Sequence, residues 1–137
     1  MEIHADWVGG LGFNSKGGSG HEVLMDASRE VGGEDKGPRP MELLLHGIAG
    51  CTGIDIVKTL EKMKADIDDF KISVSGKRAD DYPKKFTEVN IHFVIAGAGL
   101  TEKNVSRAVN LSLDKYCSAS NSLSAEVTGT YEIISTE

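Results

Sequence analysis

Two thiols are the side chains in this sequence best suited to chemistry. Cys51 stands in Gly47-Ile48-Ala49-Gly50-Cys51-Thr52-Gly53, an apolar stretch notched by glycines. Cys117 follows 66 positions later, in Lys115-Tyr116-Cys117-Ser118-Ala119-Ser120-Asn121-Ser122. Such a pair can be two small buried hydrophobes. It can also be an attacking thiol and a second thiol that resolves its oxidised form, and the attacking one must then be a thiolate held by a nearby cation or by amide donors. A thiol within an apolar helix flanked by glycines, and a second bordering a serine-rich turn, suit those two roles. No CxxC is present, so neither a zinc ribbon nor a thioredoxin-like motif can form locally. A metal site built from Cys51, Cys117 and one histidine has no support in spacing, and none is expected. His4 and His92 alternate with strand residues as surface or edge positions, and His21 opens a strand. His46 precedes Cys51 by five residues, about 140° around a helix. Trp7, Phe13 and Phe86 read as core or dimer-contact aromatics.

The 137 residues fit one domain, 1–137, with 39% hydrophobic and 26% charged residues. A net charge of −6 argues against a general nucleic-acid binder and against adhesion to anionic membranes. No apolar run reaches the roughly 18–20 residues of a membrane span. The first residues show no basic stretch leading into an apolar core, so no secretory signal is read and a cytoplasmic location is expected.

The elements that must position the thiols follow from periodicity. The first forty residues are glycine-rich and read as a strand meander, with strands near 3–8 and 21–26 and turns at 9–12 and 13–18. Residues 28–40 read as a mobile loop with Gly32, Gly33, Gly37, Pro38 and Pro40. Met41 to Met63 is apolar nearly all round in its first half and predicts a helix of about 23 residues, roughly 35 Å long. Pro40 suits its first turn, Glu42 its positive end, and Lys58, Lys62 and Lys64 its far end. Gly47, Gly50 and Gly53 leave one face bare for close approach of another backbone. Alternation predicts strands at 70–77 and 86–95, joined as a hairpin by Asp80-Asp81-Tyr82-Pro83, and a last strand at 125–134. Thr101 caps a helix expected to run to Tyr116, with Cys117 at its end and a flexible segment after it. The fold class is α+β, antiparallel sheets with helices on one side. The core-poor N-terminal strands predict pairing with a second subunit.

Pro40-Met41-Glu42-Leu43-Leu44-Leu45-His46-Gly47-Ile48-Ala49-Gly50-Cys51-Thr52-Gly53 resembles the first-cysteine helix of the OsmC/Ohr family. Lys115 to Leu123 resembles its second-cysteine segment, and the likeness covers most of the chain. The form of the helix is most similar to the OsmC-like, YhfA-like subgroup. The resemblance implies an OsmC-like fold with a long central cysteine-bearing helix, in an intertwined homodimer with two interfacial sites. It implies that Cys51 attacks an organic hydroperoxide and becomes a sulfenic acid, that Cys117 condenses with it to a disulfide, and that a lipoyl-type dithiol restores the thiols. It implies no metal and no bound organic cofactor. An arginine and a glutamate hold the thiolate in the family. Counting back from Cys51, the glutamate position holds Met41 and Glu42 is its neighbour; Arg29, Arg39 and Lys16 are the candidate cations, with Arg29 at a fitting distance before the helix.

Two functions are therefore expected as alternatives. One is a thiol-dependent peroxidase using Cys51, Cys117, Arg29 and Glu42. The other, favoured by Met41 at the glutamate position, is a dimer of the same fold that binds a small molecule in its interfacial cleft without peroxidase activity.

Overall fold

The structure, a computed structural model, describes residues 1–136. The chain divides into two compact units, residues 1–44 and residues 45 onward. In the first, β1 (Ile3–Trp7), β2 (Phe13–Gly17) and β3 (Glu22–Met25) form an antiparallel meander in the order β1-β2-β3. The β1–β2 turn needs glycine: Gly9 and Gly10 adopt φ of 99° and 56°, in the region that L side chains avoid. The Trp7 indole donates to Gly10 O at 2.9 Å and closes this turn. Ile3, Trp7, Phe13 and Val23 all remain exposed, Trp7 at 66%. The small sheet covers little of its own apolar surface, as expected.

Residues 28–40, expected as a mobile loop, are instead tied down. Asp26 is buried and its carboxylate accepts backbone N–H bonds from Ala27 (2.7 Å), Glu34 (3.1 Å) and Lys36 (3.3 Å). Arg29–Val31 makes a 3-10 turn inside the segment. A Cβ on Gly33 would meet Ala27 O at 2.0 Å, so only glycine allows that approach. Burial alone would raise the Asp26 carboxyl, but the amide donors of Ala27, Lys36 and Glu34 and the Lys36 charge hold it below its ordinary value. The stabilisation is then present above the ordinary carboxylate range and is lost as pH falls through the lowered value. Asp26→Asn should speed amide hydrogen exchange at Glu34 and Lys36. The wild type should show the same loosening only in strong acid, below about pH 4. Unchanged exchange in the variant would mean that the turn is held elsewhere.

The second unit holds most of the core. The long helix α1 (Pro40–Lys62) begins in the first unit and runs into the second. Within the second, it is followed by β4 (Asp69–Arg78), β5 (Phe86–Gly97), α2 (Glu102–Leu111), a π turn (Ser112–Tyr116), a one-turn helix α3 (Ser118–Asn121) and β6 (Glu126–Ser135). Thr101 and Asn104 form a reciprocal capping box at the start of α2, through bonds of 3.1 and 2.8 Å. Ile48, Thr52, Ile56 and Leu60 recur every four residues and are fully buried. The Thr52 hydroxyl is satisfied by Ile48 O at 2.8 Å. On the sheet, Val89, Ile91, Phe93 and Ile95 of β5 alternate as the buried face. Gly53 brings α1 against Ile72 of β4, and Gly129 of β6 leaves room for Leu113 and Val109.

The α+β architecture is as expected, with one difference in pairing. The sheet order is β4-β5-β6; β4 and β5 are an antiparallel hairpin, but β6 runs parallel to β5, with Asn90 opposite Thr128. Parallel strands need a long crossover connection, and the segment through α2 and the π turn supplies one.

α1 is also long and apolar enough, by length and composition, to cross a membrane. The expectation that no segment reaches that size is thus corrected. Leu43 to Leu60 carries only Asp55 and Lys58 as formal charges, because a helix apolar on several faces needs the same composition as a span. Inside this chain one stripe of it is buried, Ile48, Thr52, Ile56 and Leu60.

Candidate functional site

The two thiols meet. Cys51 lies mid-helix on α1, half-buried, and Cys117 is 1% exposed; both are free thiols. Their sulfurs and a carboxylate oxygen of Asp55 all lie within 4.8 Å of one another. Asp55 follows Cys51 by four residues, one turn along the same helix face.

Cys117 reaches this point through the π turn. Its N–H bonds Ser112 O at 2.7 Å, five residues back, so the last turn of α2 is widened and α2 ends before the residue expected. The following segment, expected to be flexible, is an ordered helical turn. Its polar side chains are spent on nearby carbonyls: Asn121 Nδ2 donates to Cys117 O at 2.8 Å and Ser122 Oγ to Ser118 O at 2.8 Å. Ser120 is buried; its N–H donates to Cys117 Sγ at 3.4 Å. Burial pushes the Cys117 thiol up, Ser120 pulls against that, and the adjacent Cys51 adds to the rise. At neutral pH, Cys117 is a protonated, covered thiol beside a more accessible one. Iodoacetamide should therefore modify Cys51 first, with Cys117 following only at alkaline pH, as peptide mass mapping would show. Equal rates at neutral pH would contradict this geometry.

Asp55 was not among the sequence candidates. Its signal was present: an acid one turn after the cysteine in an otherwise apolar helix. Its Oδ2 accepts from Ser112 Oγ at 3.0 Å, and Ser112 is fully buried. Asp55 also lines a cavity of about 330 Å³ with Lys58, Arg107, Leu111 and Tyr116.

The other candidates lie in the first unit. Arg29 is exposed in the 3-10 turn. Glu42 is exposed and accepts the Arg39 N–H at 3.2 Å, a bond that starts the helix. Arg39 Nη1 pairs with Asp35 at 2.6 Å and bonds Gly37 O at 3.0 Å. Lys16 is exposed on β2. His92, placed by sequence at a surface or edge, is on the central strand of its sheet. It bonds Thr130 Oγ1 at 2.6 Å and Glu132 at 2.8 Å on β6.

A long cysteine-bearing helix, a mixed three-stranded sheet and a second thiol delivered by a π turn define an α+β thiol-pair protein. The chain belongs to the OsmC-like family, whose model, described as OsmC-like protein, matches residues 33–132. It is 38% identical over 136 residues to Protein YhfA of Escherichia coli K12, covering 98% of each. It is similar to a solved structure, a hypothetical protein from Aquifex aeolicus, at 33% identity and a TM-score of 0.86, covering 99% of this chain and 97% of that one. At 19% identity and a TM-score of 0.67, the fold is shared with an OsmC protein of Legionella pneumophila, covering 97% and 95% of the two chains.

Proposed function

We propose that this chain is a thiol-dependent peroxidase acting on organic hydroperoxides. The observation that carries the reading is the approach of the Cys51 and Cys117 sulfurs, on separate elements, to within 4.8 Å. The Legionella pneumophila neighbour is described as an organic hydroperoxide resistance protein, which supports the same chemistry. The Cys51 thiolate attacks one peroxide oxygen, the O–O bond breaks, and the alcohol leaves with a proton. Cys51 becomes a sulfenic acid. The Cys117 sulfur then attacks the Cys51 sulfur, water leaves, and a disulfide forms. A lipoyl-type dithiol reduces it by exchange and is itself oxidised. Arg29 and Glu42 are the residues assigned to holding Cys51 as a thiolate.

In this reading the chain is one domain, since the family match crosses residue 44. It acts as a cytoplasmic homodimer. Exposed Trp7, Phe13 and Ile54, and open space beside Gly47 and Gly50, favour cover by a second copy. Light scattering should give about twice 14.7 kDa; a mass of one chain would remove the dimer.

The alternative, a small-molecule binder without turnover, is favoured by one observation: Glu42 is occupied at the Arg39 amide. The deciding experiment is one equivalent of cumene hydroperoxide on the reduced protein. Loss of two hydrogens and of both alkylatable thiols supports the peroxidase. Two thiols still alkylatable afterwards would leave the pair structural.

A further inference from the structure

The peroxidase reading leaves Asp55 without a task. A carboxylate and two thiols gather three potential metal-ligand atoms within 4.8 Å of one another. We propose that Cys51, Asp55 and Cys117 form a zinc-binding site with one open coordination position. The proposal goes beyond the peroxidase reading and shares its thiols.

The donor set fits the ion. Two sulfurs and one carboxylate oxygen suit borderline-soft Zn²⁺, whereas Ca²⁺ and Mg²⁺ need oxygen ligands throughout. Tetrahedral bonds of about 2.3 Å to sulfur place such sulfurs roughly 3.8 Å apart. The three donor atoms already lie within 4.8 Å, so closing on an ion needs only shifts of an ångström or less. Cys51 and Asp55 are on successive turns of a rigid helix, and the π turn holds Cys117 opposite.

The groups behind the donors fit as well. Ser112 is fully buried and donates to Asp55 Oδ2 at 3.0 Å, which leaves Oδ1 for the metal. The Ser120 N–H on Cys117 Sγ steadies that sulfur in the same way. Partners of this kind orient the ligands of metal sites. The cavity that Asp55 lines provides an entry path. Binding exchanges two thiol protons for one Zn²⁺: the ion bonds both sulfurs and the carboxylate, both protons go to solvent, and no electron moves. The bound centre carries a net charge of −1, which Lys58 and Arg107 on the same cavity offset. Water takes the fourth position. Zinc then masks the thiol that would meet peroxide, and disulfide formation expels the ion.

The test uses the reduced full-length chain with Zn²⁺ against a chromophoric chelator, and Co²⁺ as a spectroscopic probe. The expected result is one Zn²⁺ per chain, released on oxidation, and a sulfur-to-cobalt charge-transfer band in the wild type. Cys51→Ser and Asp55→Asn should each weaken binding by about 100-fold or more, and Ser112→Ala by roughly 10-fold. No retained zinc, or no charge-transfer band, overturns the site; neither readout requires a variant to fold. Binding undiminished in Cys51→Ser also overturns it, since the ion then sits elsewhere. Hydroperoxide-driven disulfide formation is scored separately on metal-free protein. Zinc binding without it sinks only the peroxidase reading, and disulfide formation without zinc binding sinks only this one.

Discussion

Cys51→Ser is expected to lower turnover of cumene hydroperoxide with dihydrolipoamide by roughly 10³-fold or more, because a serine hydroxyl at neutral pH does not supply the nucleophile. Cys117→Ser should behave differently. It retains the attacking thiol, so the first equivalent of peroxide is still consumed. Without the partner sulfur within 4.8 Å, the sulfenic acid at Cys51 has nothing to condense with. Intact mass should rise by one oxygen, then by two as the sulfinic acid forms. A Cys51→Ser protein that turns over normally, or a Cys117→Ser protein with no mass gain, would end the two-thiol mechanism.

Phe93→Ala is expected to cost about 3–5 kcal/mol of stability. The ring is fully buried on the central strand β5 and lies 6.1 Å from the Phe70 ring, centroid to centroid. It also lies against Gly129, which has no side chain to move into the gap. A loss of that size is a large part of the stability of a domain this small and should lower the melting temperature by roughly 10 °C or more. Ile91→Val, on the same face, removes one methyl group and should cost about 0.5–1.5 kcal/mol. Chemical denaturation of the three proteins would measure both. A loss below about 1 kcal/mol in Phe93→Ala would mean that the core collapses around the void.

What could be read from the residues themselves was governed by local periodicity. The hydrophobic alternation of β4, β5 and β6 marks their faces because strand side chains alternate whatever the partner strand does. The direction of β6 was not legible, since alternation is the same for parallel and antiparallel pairing, and the helical connection before it permits either. The cap at Thr101 was readable because it is local, and the end of α2 was not. The pattern of Leu111 and Leu113 continues past the point where the i→i−5 bond from Cys117 widens the helix. Loop 28–40 was misjudged for a similar reason. Its glycines suggest mobility, yet Gly33 is there for a backbone contact with Ala27 that only the fold brings together. At the site, the thiols stood out by type. Asp55 did not, because its meaning depends on Cys117 and Ser112 approaching from 57 residues or more away.

The parallel pairing of β6 bears on how the chain acquires its site. β4 and β5 zip from a short turn, with Arg78 opposite Phe86, so their contacts are local and close early. β6 pairs with β5 at a separation of 38 residues, Asn90 to Thr128, and the loop it must close contains α2 and the π turn. Closing that loop costs more chain entropy than closing the β4–β5 hairpin. β6 covers an edge of β5 that would otherwise be an open row of backbone donors and acceptors. The crossover that brings it there is the segment carrying Cys117. The meeting of the two sulfurs is therefore a contact across 66 positions of chain, which no local element can make by itself.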